Sequence, residues 1–216
     1  MLSLPTDQDV ESAARRLRAS LTIPGLRTAV AAYFNESGFA GMTFSDLGHN
    51  PPRLFTADDL LAVALLDITW RPQVVRVLLQ THRRQFADLL ADIPTDVDLW
   101  DACDVTLKHV DIMWDVLTSI EGIGTASATK LLARKRPRLC PISDSLVIKA
   151  VDVPGRTWDV LRHLLQDQGA RADVEALRPA AAADATLLWI LDVALWVSRS
   201  KSAAAQEIRL AAGLPS

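Results

Sequence analysis

Residues 117–124 read Leu-Thr-Ser-Ile-Glu-Gly-Ile-Gly, and residues 125–132 continue Thr-Ala-Ser-Ala-Thr-Lys-Leu-Leu. Two glycines around one apolar residue interrupt an otherwise helical run. Glycine tolerates positive φ and leaves the backbone uncovered, so this stretch predicts a hairpin between two helices. The second helix then opens with N–H groups that have no intrahelical acceptor, a fitting place for the oxygen of a phosphate. Upstream, Leu107, Val110, Met113, Trp114, Leu117 and Ile120 recur at helical spacing and supply the first arm, about 106–120.

Outward from the hairpin, nearly every segment reads as helix. An amphipathic helix covers Asp7–Leu21 with Arg15, Arg16 and Arg18 on its outer face, and Pro24 opens another that runs to about Asn35. Residues 37–55 hold three glycines and two adjacent prolines and predict an irregular loop, structural or the rim of a site. Thr56 and Asp59 form a capping box for a helix over Leu60–Ile68. Pro72 starts a long helix, about 72–92, with Val74, Val75, Leu78, Leu79, Phe86 and Leu90 inward, and Pro94 stops it. Later helices run about 144–151, 157–168, 171–178, 185–199 and 202–212. No strand pairs, heptads or repeats interrupt them, so the fold class is all-α.

The chain has 216 residues, half of them hydrophobic, enough for a sizeable core. Cys103 and Cys140 are its only cysteines, too few for a disulfide framework or, alone, for a four-cysteine zinc or iron–sulfur site. A reducing, cytoplasmic setting is expected. The first residues, Met-Leu-Ser-Leu-Pro-Thr-Asp, lack the pattern of a signal peptide. The most apolar run, Ala185–Val197, is too short to span a bilayer and carries Asp192, so no membrane partner is expected.

Net charge is −3, which argues against an indiscriminate nucleic-acid binder. The charge is uneven. Residues 1–125 hold 10 basic and 17 acidic side chains, whereas 126–216 hold 13 and 9. The densest basic cluster, Lys130, Arg134, Lys135, Arg136 and Arg138, directly follows the hairpin. It reads either as a solvated helix end or as a set of phosphate contacts. Trp189, Asp192 and Trp196 share one helical stripe, which is either a base-stacking pocket with a polar handle or a face of a core helix.

Measured forward from the hairpin, the spacing carries a resemblance. Ile120, Glu121, Gly122, Ile123 and Gly124 are followed by Ala128 four residues on, and by Asp144 twenty residues after Gly124, just before the apolar run Leu146, Val147, Ile148. This pattern, over about 117–149, resembles that of the helix-hairpin-helix DNA glycosylases of base excision repair. The wider sequence looks more like a family of uncharacterised actinobacterial proteins than any assigned glycosylase.

The resemblance implies two helical lobes with a cleft between them. Residues 56–140 would form the central lobe, with the hairpin unit at 106–136. Residues 1–36 and 144–216 would form the second lobe. It also implies a DNA partner, held by backbone amides near Gly122, Ile123, Gly124 and Ala126 and by Lys130, Lys135 and Arg136. The carbonyls of Thr118, Ile120 and Ile123 would match a monovalent-cation site, and no other cofactor is implied. Asp144 would be the catalytic carboxylate, stabilising oxocarbenium-like charge as an N-glycosidic bond breaks. Read from its residues alone, Asp144 equally suits the first turn of a helix as a cap.

Two departures narrow the expectation. Where strand-cutting members carry a lysine this chain has Ala126, which argues against Schiff-base lyase chemistry. Glu121 replaces the usual proline and puts a negative charge beside the expected phosphate. A non-catalytic DNA-binding or protein-interaction module therefore stands beside the monofunctional enzyme.

Overall fold

A computed structural model describes residues 5–36 and 38–214. It is all-α, with thirteen α-helices, one π-helical turn and one 3-10 turn, and no strand among the described residues. No helix among them is long and apolar enough to cross a membrane. The chain divides into two compact units: one runs from residue 38 to 142, and the other joins the N-terminal segment to residues 143 onward.

The chain starts in the discontinuous unit. Helix α1 (Asp7–Leu21) is opened by Thr6 and Asp9, each accepting from the other's backbone N–H. It buries Val10, Ala13, Ala14, Leu17 and Leu21, the one-sided stripe its periodicity predicts. Helix α2 (Leu26–Asn35) follows after Gly25, whose φ of 86° only glycine adopts freely.

The chain then builds the continuous unit from α3 (Ala40–Asp46), α4 (Ala57–Ala64), α5 (Pro72–Arg76), α6 (Arg83–Ala91), α7 (Asp104–Thr118) and α8 (Thr125–Lys135). Helix α8 lies at its centre, packed against α4 and α7, and every residue from Ser127 to Lys135 is buried. Met113, Leu117, Leu131 and Leu132 form part of the core around it.

Returning to the first unit, the chain adds α9 (Ser145–Val151), α10 (Thr157–Gln166), α11 (Gln168–Glu175), α12 (Leu187–Arg199) and α13 (Ala203–Ala211). Helix α12 is the central one here. It touches α2, α9, α11 and α13 and buries Leu188, Ile190, Leu191, Val193, Ala194, Leu195 and Val197.

Three sequence expectations need correction, each for a tertiary reason. The segment 37–55 is not wholly irregular, because α3 forms within it. The Arg134 guanidinium donates to the carbonyls of Phe44, Ser45 and Leu47 at the end of α3, satisfying groups a short helix would leave open. The helix expected over Leu60–Ile68 is α4 and stops at Ala64. Trp70 Nε1 donates to the Leu60 carbonyl at 2.7 Å, Lys130 Nζ to the Leu66 carbonyl at 2.7 Å, and Asp67 turns left-handed at φ 62°. The helix expected over 72–92 is broken. Residues Val77–Thr81 form the π turn, with the His82 N–H reaching back five residues to the Val77 carbonyl, and α6 starts anew after His82.

Candidate functional site

The hairpin is built as its glycines require. The Ile123 N–H closes a turn on the Ile120 carbonyl at 3.0 Å, with Gly122 at φ 97° in its third position, the type II arrangement that demands glycine. Ile123 is buried and anchors the tip from below, while Glu121, Gly122, Gly124 and Thr125 are exposed. A Cβ on Gly122 would stand 3.1 Å from Arg71 Cδ and 3.2 Å from Val74 Cγ2, so α5 packs directly over it. A Cβ on Gly124 would meet nothing within 4 Å, and its φ of −98° suits any residue.

The donors at the start of α8 differ in part from the expected set. The Gly124 N–H is already taken by Ser127 Oγ at 3.0 Å, and the same hydroxyl donates back to the Gly124 carbonyl. Ile123 contributes a buried anchor rather than a surface amide. The amides open at the first turn are those of Thr125, which is exposed, and Ala126, which is half-buried. Of the carbonyls matched to a cation site, that of Ile120 is engaged in the turn, and the Thr118 hydroxyl bonds back to the Trp114 carbonyl at 2.9 Å.

Arg71 joins this tip from fifty residues upstream. Its Nη1 lies 2.9 Å from Glu121 Oε1, an exposed pair that partly neutralises the carboxylate beside the hairpin. Nothing in local spacing pointed to Arg71. Ser127 had a local signal, a hydroxyl three residues after a helix-opening glycine, where a side chain can bond back to the glycine amide.

The basic cluster is the main correction. Lys130, Lys135 and Arg136, expected as phosphate contacts, are buried, as is Arg134. Lys130 holds the Leu66 carbonyl. Lys135 pairs with Asp59 and donates to Asn50 Oδ1 at 2.7 Å and the Pro51 carbonyl at 3.2 Å. Arg136 donates to the carbonyls of Ile93 and Pro52, each at 2.8 Å, and to that of Leu90. Burial depresses the pKa of both Lys135 and Arg136, with Asp59 pulling Lys135 the other way. These cations fasten loops to α8 and have no reach to a ligand at the surface. Arg138, beyond them, is exposed and forks onto Asp98.

Asp144 sits in the discontinuous unit as the N-cap of α9. Its Oδ1 accepts from the amides of Leu146 at 2.9 Å and Val147 at 3.0 Å. The side chain is half-buried, and Oδ2 accepts no hydrogen bond among the described residues. The preceding residue, Ser143, accepts from Trp158 Nε1 at 2.9 Å, which ties the start of α9 to α10. Nothing in the sequence spacing of Trp158 relates it to Asp144.

Trp189, Asp192 and Trp196 do share one stripe of α12, and all three are half-buried while the residues between them are buried. Trp189 stands edge-on to Phe34 at 5.2 Å and Trp196 to Tyr33 at 5.5 Å. Edge-to-face pairs of this kind account for the stripe as the packing of α2 on α12.

Residues 27–199 match the model of a family of unknown function, DUF6308, and the chain belongs to that family. No curated protein and no solved structure matches it.

Proposed function

We propose that this member of a family of unknown function binds a nucleic-acid backbone, with the hairpin 120–126 as its phosphate grip in the manner of a helix-hairpin-helix. The observation that carries the reading is the exposed hairpin itself. Gly122 holds the tight turn, nothing covers Gly124, and the Thr125 and Ala126 amides open an 11-residue helix. An anion there meets unpaired N–H groups and the positive end of the helix dipole. Arg71 adds a fork suited to phosphate, and its bond to Glu121 is weak enough to exchange for one.

The test is binding of a short labelled DNA duplex to the wild type and to Thr125→Asp. An aspartate at this exposed first-turn position favours the helix and repels phosphate. Loss of affinity with unchanged stability supports the reading. Equal affinity ends it.

A second reading adds catalysis at Asp144. The unbonded Oδ2, beside an Oδ1 fixed by two amides, favours it, since a held carboxylate with one open oxygen can face developing positive charge. The reaction would be monofunctional cleavage of an N-glycosidic bond with water as nucleophile, since Ala126 offers no amine for strand cutting. Duplexes carrying single uracil, alkylated or oxidised bases, treated with hot alkali after incubation, report base loss as strand breaks. Breaks that vanish in Asp144→Asn support catalysis. Their absence with the wild type leaves a non-catalytic module.

A further inference from the structure

We infer that the arm formed by α5, the π turn and α6 carries the strand onward from the hairpin, with Arg71, Arg76, Arg83 and Arg84 as a track for consecutive phosphates. The inference rests on the backbone-binding reading above and supplies the cationic surface that the buried cluster of α8 does not.

The composition of the arm sets it apart. From Ile68 to Ala87 there is no acidic residue, in a chain with 26 of them, and the segment holds four arginines and a histidine. All four arginines are exposed. Among the described residues Arg76, Arg83 and Arg84 have no ion-pair or hydrogen-bond partner, unlike Arg18 with Asp173, Arg138 with Asp98 and Arg156 with Asp7; other exposed arginines, such as Arg16 and Arg199, share that state, but singly rather than three within nine residues. Arg84 has Asp88 one turn on along α6 but makes no ion pair with it, so these guanidinium groups stay open to an incoming anion.

The backbone of the arm points the same way. A continuous amphipathic helix would return a buried residue every three or four positions. Here the π turn and the break at His82 leave Gln80, Thr81, His82, Arg83, Arg84 and Gln85 exposed in succession. These side chains are all able to hydrogen-bond a phosphate oxygen, and π turns recur at functional sites. Val74, Leu78, Phe86 and Leu90 are buried beneath and fix the arm to its unit. It starts at the hairpin, since Arg71 and Val74 lie over Gly122. At helical rise, the stretch from Pro72 to His82 spans roughly 15 Å, the length of several nucleotides.

The chemistry favours nucleic acid over a lipid surface. The guanidinium fork matches phosphate in either, but a membrane-seated helix needs large apolar side chains at its surface. The arm exposes none.

The experiment measures affinity for the labelled duplex and its single strand at about 50 to 200 mM salt, for the wild type, Thr125→Asp and the triple variant Arg76→Gln, Arg83→Gln, Arg84→Gln. These three side chains hold no partner, so an unchanged melting curve is expected. The triple variant should lose roughly tenfold or more in affinity, and the slope of log K against log salt should flatten by about 2 to 3, near 0.9 per duplex phosphate contact. A slope and affinity equal to wild type overturn the track. If Thr125→Asp still weakens binding in that case, the hairpin reading survives alone. If the triple variant weakens binding and Thr125→Asp does not, the track stands and the hairpin reading fails. Absence of nucleic-acid binding by the wild type overturns both.

Discussion

Asp59 and Lys135 form an ion pair inside the unit spanning residues 38–142, and neither side chain reaches solvent. Asp59 also takes Arg134 Nε at 3.3 Å, and its Oδ2 accepts the Thr56 N–H at 2.7 Å in the capping box of α4. One carboxylate thus caps a helix and compensates two cations on another. Around it, Arg134, Lys135 and Arg136 spend their remaining donors on carbonyls of the segment between α3 and α4 and of the loop after α6.

Removing that carboxylate leaves two buried cations uncompensated. Asp59→Ala should destabilise the protein by about 3–5 kcal/mol, the usual consequence of breaking a buried pair from one side. Urea unfolding monitored by circular dichroism measures it. Lys135→Met removes the other partner but leaves Asp59 paired with Arg134, so its cost should be smaller.

The two hairpin glycines should behave oppositely. Gly122→Ala places a methyl at φ 97° and against Arg71 and Val74, and should cost about 1–3 kcal/mol. Gly124→Ala meets open space at an ordinary φ, and should leave stability within about 1 kcal/mol of wild type. Thermal melting of the two variants side by side separates them.

Capping and chemistry at Asp144 are separable by choice of substitution. Asp144→Ala loses both amide bonds to α9 and should cost about 1 kcal/mol. Asp144→Asn keeps an acceptor and removes only the charge, so its stability should stay near wild type. Any activity lost in Asp144→Asn, with its melting temperature unchanged, therefore belongs to the carboxylate.

The two cysteines should differ sharply in reactivity. Cys103 opens α7 with Sγ 3.3 Å from Thr106 Oγ1, and this contact with nearby amides lowers the pKa of its exposed thiol. Cys140 is buried, and loss of solvent pushes its thiol up despite Arg136. Iodoacetamide should label Cys103 in the folded protein with a pH midpoint below that of the same cysteine in the unfolded chain, and Thr106→Val should raise that midpoint. Because the folded value is depressed, the thiolate's contribution to stability is present above the unfolded pKa and fades as pH falls through the folded one. Labelling of Cys140 should await unfolding.

Local signals survived into the structure wherever a few neighbouring residues decide the outcome. The Thr56–Asp59 capping box, the turn at Gly122 and the cap at Asp144 are each closed within three or four residues. Sequence pattern erred where a distant side chain intervened. Apolar residues at Leu65 and Leu66 read as more helix, yet Lys130 holds the Leu66 carbonyl just beyond α4 and Trp70 that of Leu60 within it. The polar residues of α8 read as a solvated or ligand-facing end, because periodicity separates polar from apolar faces but does not say what covers the polar one. The opposite error hid the arm: averaged over residues 1–125, its four arginines vanish into a net acidic half.

What the sequence determined by itself is the all-α class, the hairpin between α7 and α8, and the caps that start its helices, since backbone φ preference and short-range hydrogen bonding act over a single turn. Only the tertiary structure decided which cations are available. It sank Lys130, Arg134, Lys135 and Arg136 among carbonyls, brought Arg71 to the hairpin tip, and left Arg76, Arg83 and Arg84 in water. Whether a charge is buried depends on surfaces contributed from forty to ninety residues away, and one-dimensional spacing holds no record of that.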